Sequence, residues 1–185
     1  PPNYATTDSG RSSDESQFPG DVVIVKGEWE RGKTIFDVAD RLKKGDVIIK
    51  GANAVHLKSG QAAVLIGHPS AGTISTAMQA VMGRRVELIL PVGLEKRIDG
   101  DINEIAGRLN AANAVGLRYF PVCGNVVTEL DAIRIVTGAQ AELVAGGGVC
   151  GAEGGCWIAV GGSREQLKDT DKLIKEVSRE PIFKL

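Results

Sequence analysis

Several short stretches of this chain combine glycine with side chains able to move protons or hold an anion. Gly67-His68-Pro69-Ser70-Ala71-Gly72-Thr73 follows an apolar run and opens a helical pattern. Free backbone N–H groups and the positive end of a helix dipole hold phosphate or carboxylate at such a turn. That makes Gly67, Ser70, Gly72 and Thr73 candidate ligand-binding residues and His68 a candidate for proton transfer. The spacing is close to that of a phosphate-binding P-loop, but Thr73 stands where its lysine belongs. Nucleotide hydrolysis of the P-loop kind is therefore not expected. The plainer alternative is an ordinary strand–helix turn capped by Thr73.

Lys50-Gly51-Ala52-Asn53-Ala54-Val55-His56 directly follows another apolar run. Lys50 and Asn53 are candidate ligand contacts, because Asn53 can both donate and accept hydrogen bonds. His56 is a second candidate acid or base, histidine being the side chain suited to that work near neutral pH. Equally, Asn53 closes a tight turn and His56 is merely exposed. In Gly146-Gly147-Gly148-Val149-Cys150-Gly151-Ala152-Glu153-Gly154-Gly155, six of ten residues are glycine. Such a backbone can wrap an anion or a planar group, so Gly146, Gly147 and Gly148 are candidate ligand contacts. Glu153 is the ionisable carboxylate of that loop and a candidate general base. Cys150 has no His or Lys beside it to stabilise a thiolate, and the loop also reads as a plain glycine-rich hairpin. Finally, Lys96 and Arg97 follow the run at Val86–Gly93. They either supply positive charge to the same edge or form a solvated surface pair. Trp29, between Glu28 and Glu30, reads as a partner contact or a pocket wall.

The elements that must position these groups follow from composition and periodicity. A chain of 185 residues with 43% hydrophobic content can build one cored domain, and 4% aromatic content makes that core Val, Ile, Leu and Ala. Net charge is -1, from 22 basic and 23 acidic side chains, which argues against nucleic acid as a partner. No apolar run reaches membrane-spanning length, and the N-terminus lacks the order of a secretory signal. The expectation is a soluble, cytoplasmic protein. Three cysteines, Cys123, Cys150 and Cys156, with no CxxC pair and only two histidines, suggest neither a disulfide framework nor a metal site. Whether a cofactor is used, and which, is not written in the sequence.

Residues 1–20 are polar and aperiodic and read as a flexible arm; the chain opens on Pro1, as a processed chain or a fragment would. Residues 21–185 read as a single domain. Asp21–Gly27 is expected to be a strand buried on both faces. Thr34 and Asp37 form a capping box ahead of a helix through Leu42, stopped by Gly45. Strands follow at Val47–Lys50, Ala62–Gly67, Val86–Gly93 and Leu117–Val122, the last at a sheet edge because of Pro121. Helices capped by Thr73, Asp101, Thr128 and Ser163 alternate with them. Ala141–Gly148 and Cys156–Gly162 are linked too briefly for a helical crossover and should pair antiparallel. This alternation predicts a three-layer, Rossmann-like α/β fold, its mostly parallel twisted sheet covered by helices on both faces. A Rossmann nucleotide site is not expected, because the turn after Val25 lacks GxGxxG.

The order Val47–Lys50, Gly51-Ala52-Asn53, Gly60, and Ile66-Gly67 followed by Gly72-Thr73 resembles a superfamily. Its members include ribose-phosphate isomerase, glucosamine-phosphate deaminase and the CoA transferases. Within it, the pattern is most similar to methylthioribose-phosphate isomerase and the related initiation-factor regulatory subunits. There a strand, Gly-Ala-Asp, a glycine and an Ile-Gly-Thr turn lead into a helix. The resemblance spans about 45 residues and implies a pocket between Asn53, Gly67–Thr73 and the Gly146 loop. It also implies a small anionic metabolite as ligand and a possible homodimer. Two departures count against those isomerases' own mechanism. Their acid–base Asp is Asn53 here, and no cysteine precedes Cys123 where they carry a catalytic one. The function expected is an isomerase- or transferase-type enzyme acting on a phosphorylated or carboxylated small molecule. The alternative is a non-catalytic sensing or assembly module of the same fold.

Overall fold

The computed structural model describes residues 20–181, so the arm expected over residues 1–20 lies almost wholly outside the described part. The described chain is mixed α/β. The first departure from expectation comes at once. In place of a buried strand over Asp21–Gly27, β1 (Ile24–Val25) and β2 (Glu28–Trp29) form a short exposed antiparallel hairpin. Lys26 and Gly27, at φ 51° and 87°, make a two-residue turn of the left-handed kind that closes hairpins. The apolar run is thereby cut in two before it can span a sheet.

Helix α1 (Ile35–Val38) carries the expected capping box, with the Thr34 N–H and hydroxyl both donating to the Asp37 carboxylate. It is shorter than its apolar spacing suggests and passes into a 3-10 turn over Ala39–Arg41. Arg84 of α2 (Gly72–Arg84) donates to the Leu42 and Ala39 carbonyls and holds this segment in place.

Two three-stranded sheets form the centre. β3 (Val47–Ile49), β6 (Glu87–Pro91) and β8 (Asn125–Val127) pair in parallel, with β6 in the middle. β4 (Ala54–His56), β5 (Gln61–Ile66) and β7 (Arg118–Val122) pair antiparallel, with β5 in the middle and the Pro121-bearing β7 at the edge. The expectation of one mostly parallel sheet therefore needs correcting. β4 and β5 are joined through residues 57–60, too few for a helical crossover, so they must form a hairpin. β4 and β8, three residues each, lie outside the strands expected from sequence, since neither is a continuous apolar run set off from its neighbours.

Period-2 alternation in β5 explains how one strand serves two cores. Ala62, Val64 and Ile66 join Ile48, Ile74, Leu88 and Leu90 in the main cluster. Ala63 and Leu65 face the opposite way, against Ile102 and Ala106 of α3 (Ile102–Leu109) and Tyr119. The Asp101 carboxylate accepts the Asn103 and Glu104 N–H groups at 2.9 Å each, as the sequence predicts. Asp101→Ala should cost about 1 kcal/mol in chemical denaturation, and unchanged stability would show that this cap contributes nothing.

β9 (Gln140–Gly146) and β10 (Cys156–Gly161) form the expected antiparallel pair. α4 (Glu129–Thr137) and α5 (Arg164–Val177) are joined by a buried hydroxyl pair, Thr170 to Thr137 at 3.1 Å. Among the described residues no helix is long and apolar enough to cross a membrane.

Candidate functional site

The chain leaves the parallel sheet at Lys50, whose N–H donates to Ile89 at 3.0 Å. It enters the antiparallel sheet at Asn53, whose N–H donates to Ala63 at 2.8 Å. Gly51 and Ala52 bridge that gap. The start of α2 comes up beside the crossing from the end of β5. A cavity of about 330 Å3 lies between them. Lys50, Asn53, Gly67, His68, Gly72, Thr73 and Lys96, all proposed from sequence, line it together.

Local backbone chemistry shapes the helix end. Ala71 and Gly72 both have positive φ, 59° and 58°. Glycine adopts this freely, whereas Ala71 carries the strain of an L-residue in the left-handed region. The N-cap is therefore Ala71 rather than the expected Thr73, and it supplies no side-chain cap. The N–H groups of Gly72, Thr73 and Ile74 lack intrahelical acceptors, and no hydrogen bond from them is present among the described residues. The other helices, α1, α3, α4 and α5, all have side-chain caps or capping boxes.

Each polar side chain of the cavity has a defined setting. Asn53 Oδ1 accepts the Leu65 N–H at 3.0 Å, which orients the amide and leaves its nitrogen as a donor. His68 Nδ1 accepts the Ser70 N–H at 3.1 Å. The neutral ring then carries its proton on Nε2. Lys50 is half-buried, and none of the ion pairs among the described residues uses it. Burial lowers its pKa from the ordinary lysine value, and the Asp21 carboxylate opposes that in part. Asp21 itself is held by the Ile35 N–H at 2.8 Å. No aspartate or glutamate lines the cavity. Two lysines and the open end of a 13-residue helix therefore face one space with no lining carboxylate to neutralise them.

Other sequence candidates sit elsewhere. His56 lies in β4 rather than a loop, with Nδ1 2.7 Å from Ser59 Oγ, and is not part of the lining. Ser70 contributes its backbone to the turn, accepting from Ser75 Oγ at 2.8 Å, but does not line the cavity. Glu153 is fully exposed on the β9–β10 loop. Hydrogen bonds from its own and the Gly151 backbone hold its carboxyl below the usual range, which makes it a weaker base. Gly146, Gly147 and Gly148 are not among the lining residues either. Gly146 packs against the guanidinium of Arg97, the end of a flexible side chain that would have to shift to admit a Cβ there. Arg97 in turn donates to the Leu94 carbonyl at 3.1 Å and to Cys156 Sγ at 3.3 Å. Lys96 therefore turns to the cavity while its neighbour anchors the glycine loop. Among the described residues no group of three or more His, Cys, Asp or Glu could hold a metal ion.

A second cavity, of about 500 Å3, escaped the sequence reading. Val22, Val38, Leu42, Ile48 and Ala77 give it apolar walls. Lys50, Gly51 and Thr73 line both cavities. Its residues carry no sequence signal beyond apolarity, because only the docking of α1 and the 20–24 segment leaves the space open.

Comparison with protein-family models, curated proteins and solved structures finds no match to this chain.

Proposed function

We propose that this protein binds a small phosphorylated or carboxylated metabolite in the cavity at the β3–β4 crossing, and acts on it as an isomerase- or transferase-type enzyme. The observation that carries the reading is the convergence of Lys50, Lys96 and the uncapped start of α2 on a cavity without a carboxylate in its lining. Helix-end amides and lysines are what an anionic group requires, and no carboxylate of this cavity's lining competes for them, Asp21 acting on Lys50 from the adjoining cavity. The similarity of residues 46–73 to the sugar-phosphate isomerase and CoA transferase superfamily points to the same ligand class, and with it to a three-layer, Rossmann-like relationship. Of the three proton-transfer candidates, His68 shares the cavity, with its Nε2–H as the available donor.

A second reading is a sensing module without catalysis. It is favoured by the engagement of Asn53 Oδ1 with the Leu65 N–H and by the lack of any carboxylate base in the cavity.

Thermal unfolding with inorganic phosphate, sugar phosphates and small carboxylates tests the shared premise. A binder should raise stability by about 2.7 kcal/mol at a hundredfold excess over its dissociation constant. If none of these compounds raises the melting temperature, the anion reading fails. Proton NMR of the same mixtures separates the two functions, since an enzyme converts the stabilising compound and a sensor returns it unchanged.

A further inference from the structure

The anion-binding proposal accounts for the charge of Lys50 but not for its place. Lys50 lines both the polar cavity at the start of α2 and the second cavity, whose wall combines Val38, Leu42 and Ile48 with Asp21. A lysine that only held an anion would be served by a wet rim, as a compact, strongly hydrated charge. Here it is half-buried, has apolar walls on one side, and forms no ion pair among the described residues. Burial favours the neutral amine, which is the nucleophilic form, and outweighs the opposing Asp21 carboxylate.

We infer that Lys50 is an imine-forming lysine, whose substrates are carbonyl compounds bearing a phosphate or carboxylate group. The ammonium fraction of Lys50 helps Gly72, Thr73 and Lys96 hold the anionic group, its neutral fraction is the nucleophile, and the carbon skeleton extends toward the apolar cavity. This rests on the anion reading above and names the substrate class for it. The neutral Lys50 amine attacks the carbonyl carbon, forming a C–N bond while the carbonyl π pair moves to oxygen. Oxygen takes up a proton and nitrogen gives one up, which yields a carbinolamine. The C–O bond then breaks, the nitrogen lone pair forms C=N, and the hydroxyl leaves as water with a proton from solvent, its oxygen within the cavity that the hydrogen-bond donor His68 Nε2–H also lines. No oxidant or reductant is needed. The lowered pKa of Lys50 increases the share of amine available at neutral pH.

The full chain is incubated at neutral pH with substoichiometric pyridoxal 5′-phosphate, an aldehyde carrying a phosphate. Sodium cyanoborohydride then fixes any imine as a secondary amine, and peptide mass mapping locates it. A lowered pKa raises the neutral fraction, and an anion site beside it holds the phosphorylated aldehyde in place. Lys50 should therefore carry several times the label of an exposed lysine such as Lys58, and excess inorganic phosphate should suppress it. Label distributed by exposure, or concentrated on Lys96, overturns the imine proposal. If phosphate still raises the melting temperature in that case, the anion site stands without the imine. Preferential label on Lys50 that phosphate neither suppresses nor accompanies with a melting shift supports the imine and removes the anion reading.

Discussion

Leu90→Ala should lower the unfolding free energy by about 2–5 kcal/mol, the range for emptying a fully enclosed leucine site. Leu90 is 0% exposed and lies in β6, the middle strand of the parallel sheet. It is paired with Val126 of β8 and packed in the main cluster with Ile48, Ile74 and Leu88. Strands on both sides prevent the site from collapsing onto the hole. At about 2–4 °C per kcal/mol for a domain of this size, the melting temperature should fall by roughly 4–20 °C. The loss should also reach the candidate site, because β6 carries the Ile89 carbonyl that accepts the Lys50 N–H. Thermal and guanidinium melts of the variant decide the matter. A change below about 1 kcal/mol would contradict the packing described for β6.

Lys50→Met should have two opposite effects. Phosphate affinity should fall roughly ten- to a hundredfold, because a hydrogen bond to a charged group contributes about 1.5–3 kcal/mol. Without anion, however, the variant should be no less stable than the parent, since methionine fills similar volume without a desolvated charge. The pH dependence separates this from a general loss of structure. Burial lowers the folded-state pKa of Lys50, so the folded chain sheds this proton before the unfolded chain does. Stability of the parent should therefore rise with pH from the folded-state value of Lys50 up to its unfolded value of about 10.4. The variant should lack that rise. Phosphate affinity of the parent should decline over the same window, as the ammonium is lost. Titration calorimetry with inorganic phosphate and melts across the alkaline range give both readouts. Equal phosphate affinity in parent and variant would exclude Lys50 from the anion site.

Much of the local structure was legible because it rests on neighbours in the chain. The Thr34–Asp37 capping box, the Asp101 and Ser163 caps, and the β9–β10 pairing depend on residues a few positions apart. Their chemistry is local, so residue type and spacing suffice. The Asp21–Gly27 run misled because apolarity alone does not tell a buried strand from an exposed hairpin, and the Lys26-Gly27 turn decided it. The long-range pairings gave no such signal. β5 joins β7 across more than fifty residues of chain, with Ile66 opposite Arg118, and nothing local selects that partner.

The site divides in the same way. By itself the sequence determined that Lys50–Asn53 and Gly67–Thr73 end strands and open a helix, since strand and turn chemistry are written in adjacent residues. It could not determine that the Gly146 loop and Glu153 lie apart from the cavity lining, nor that Lys96 joins it. Those outcomes depend on Arg97 packing against Gly146 and Cys156 while its neighbour Lys96 turns to the cavity. Nor could it show Lys50 between a polar and an apolar space. Only tertiary packing sets how far a lysine is withdrawn from water, because the walls that exclude water come from α1, β3 and the 20–24 segment together.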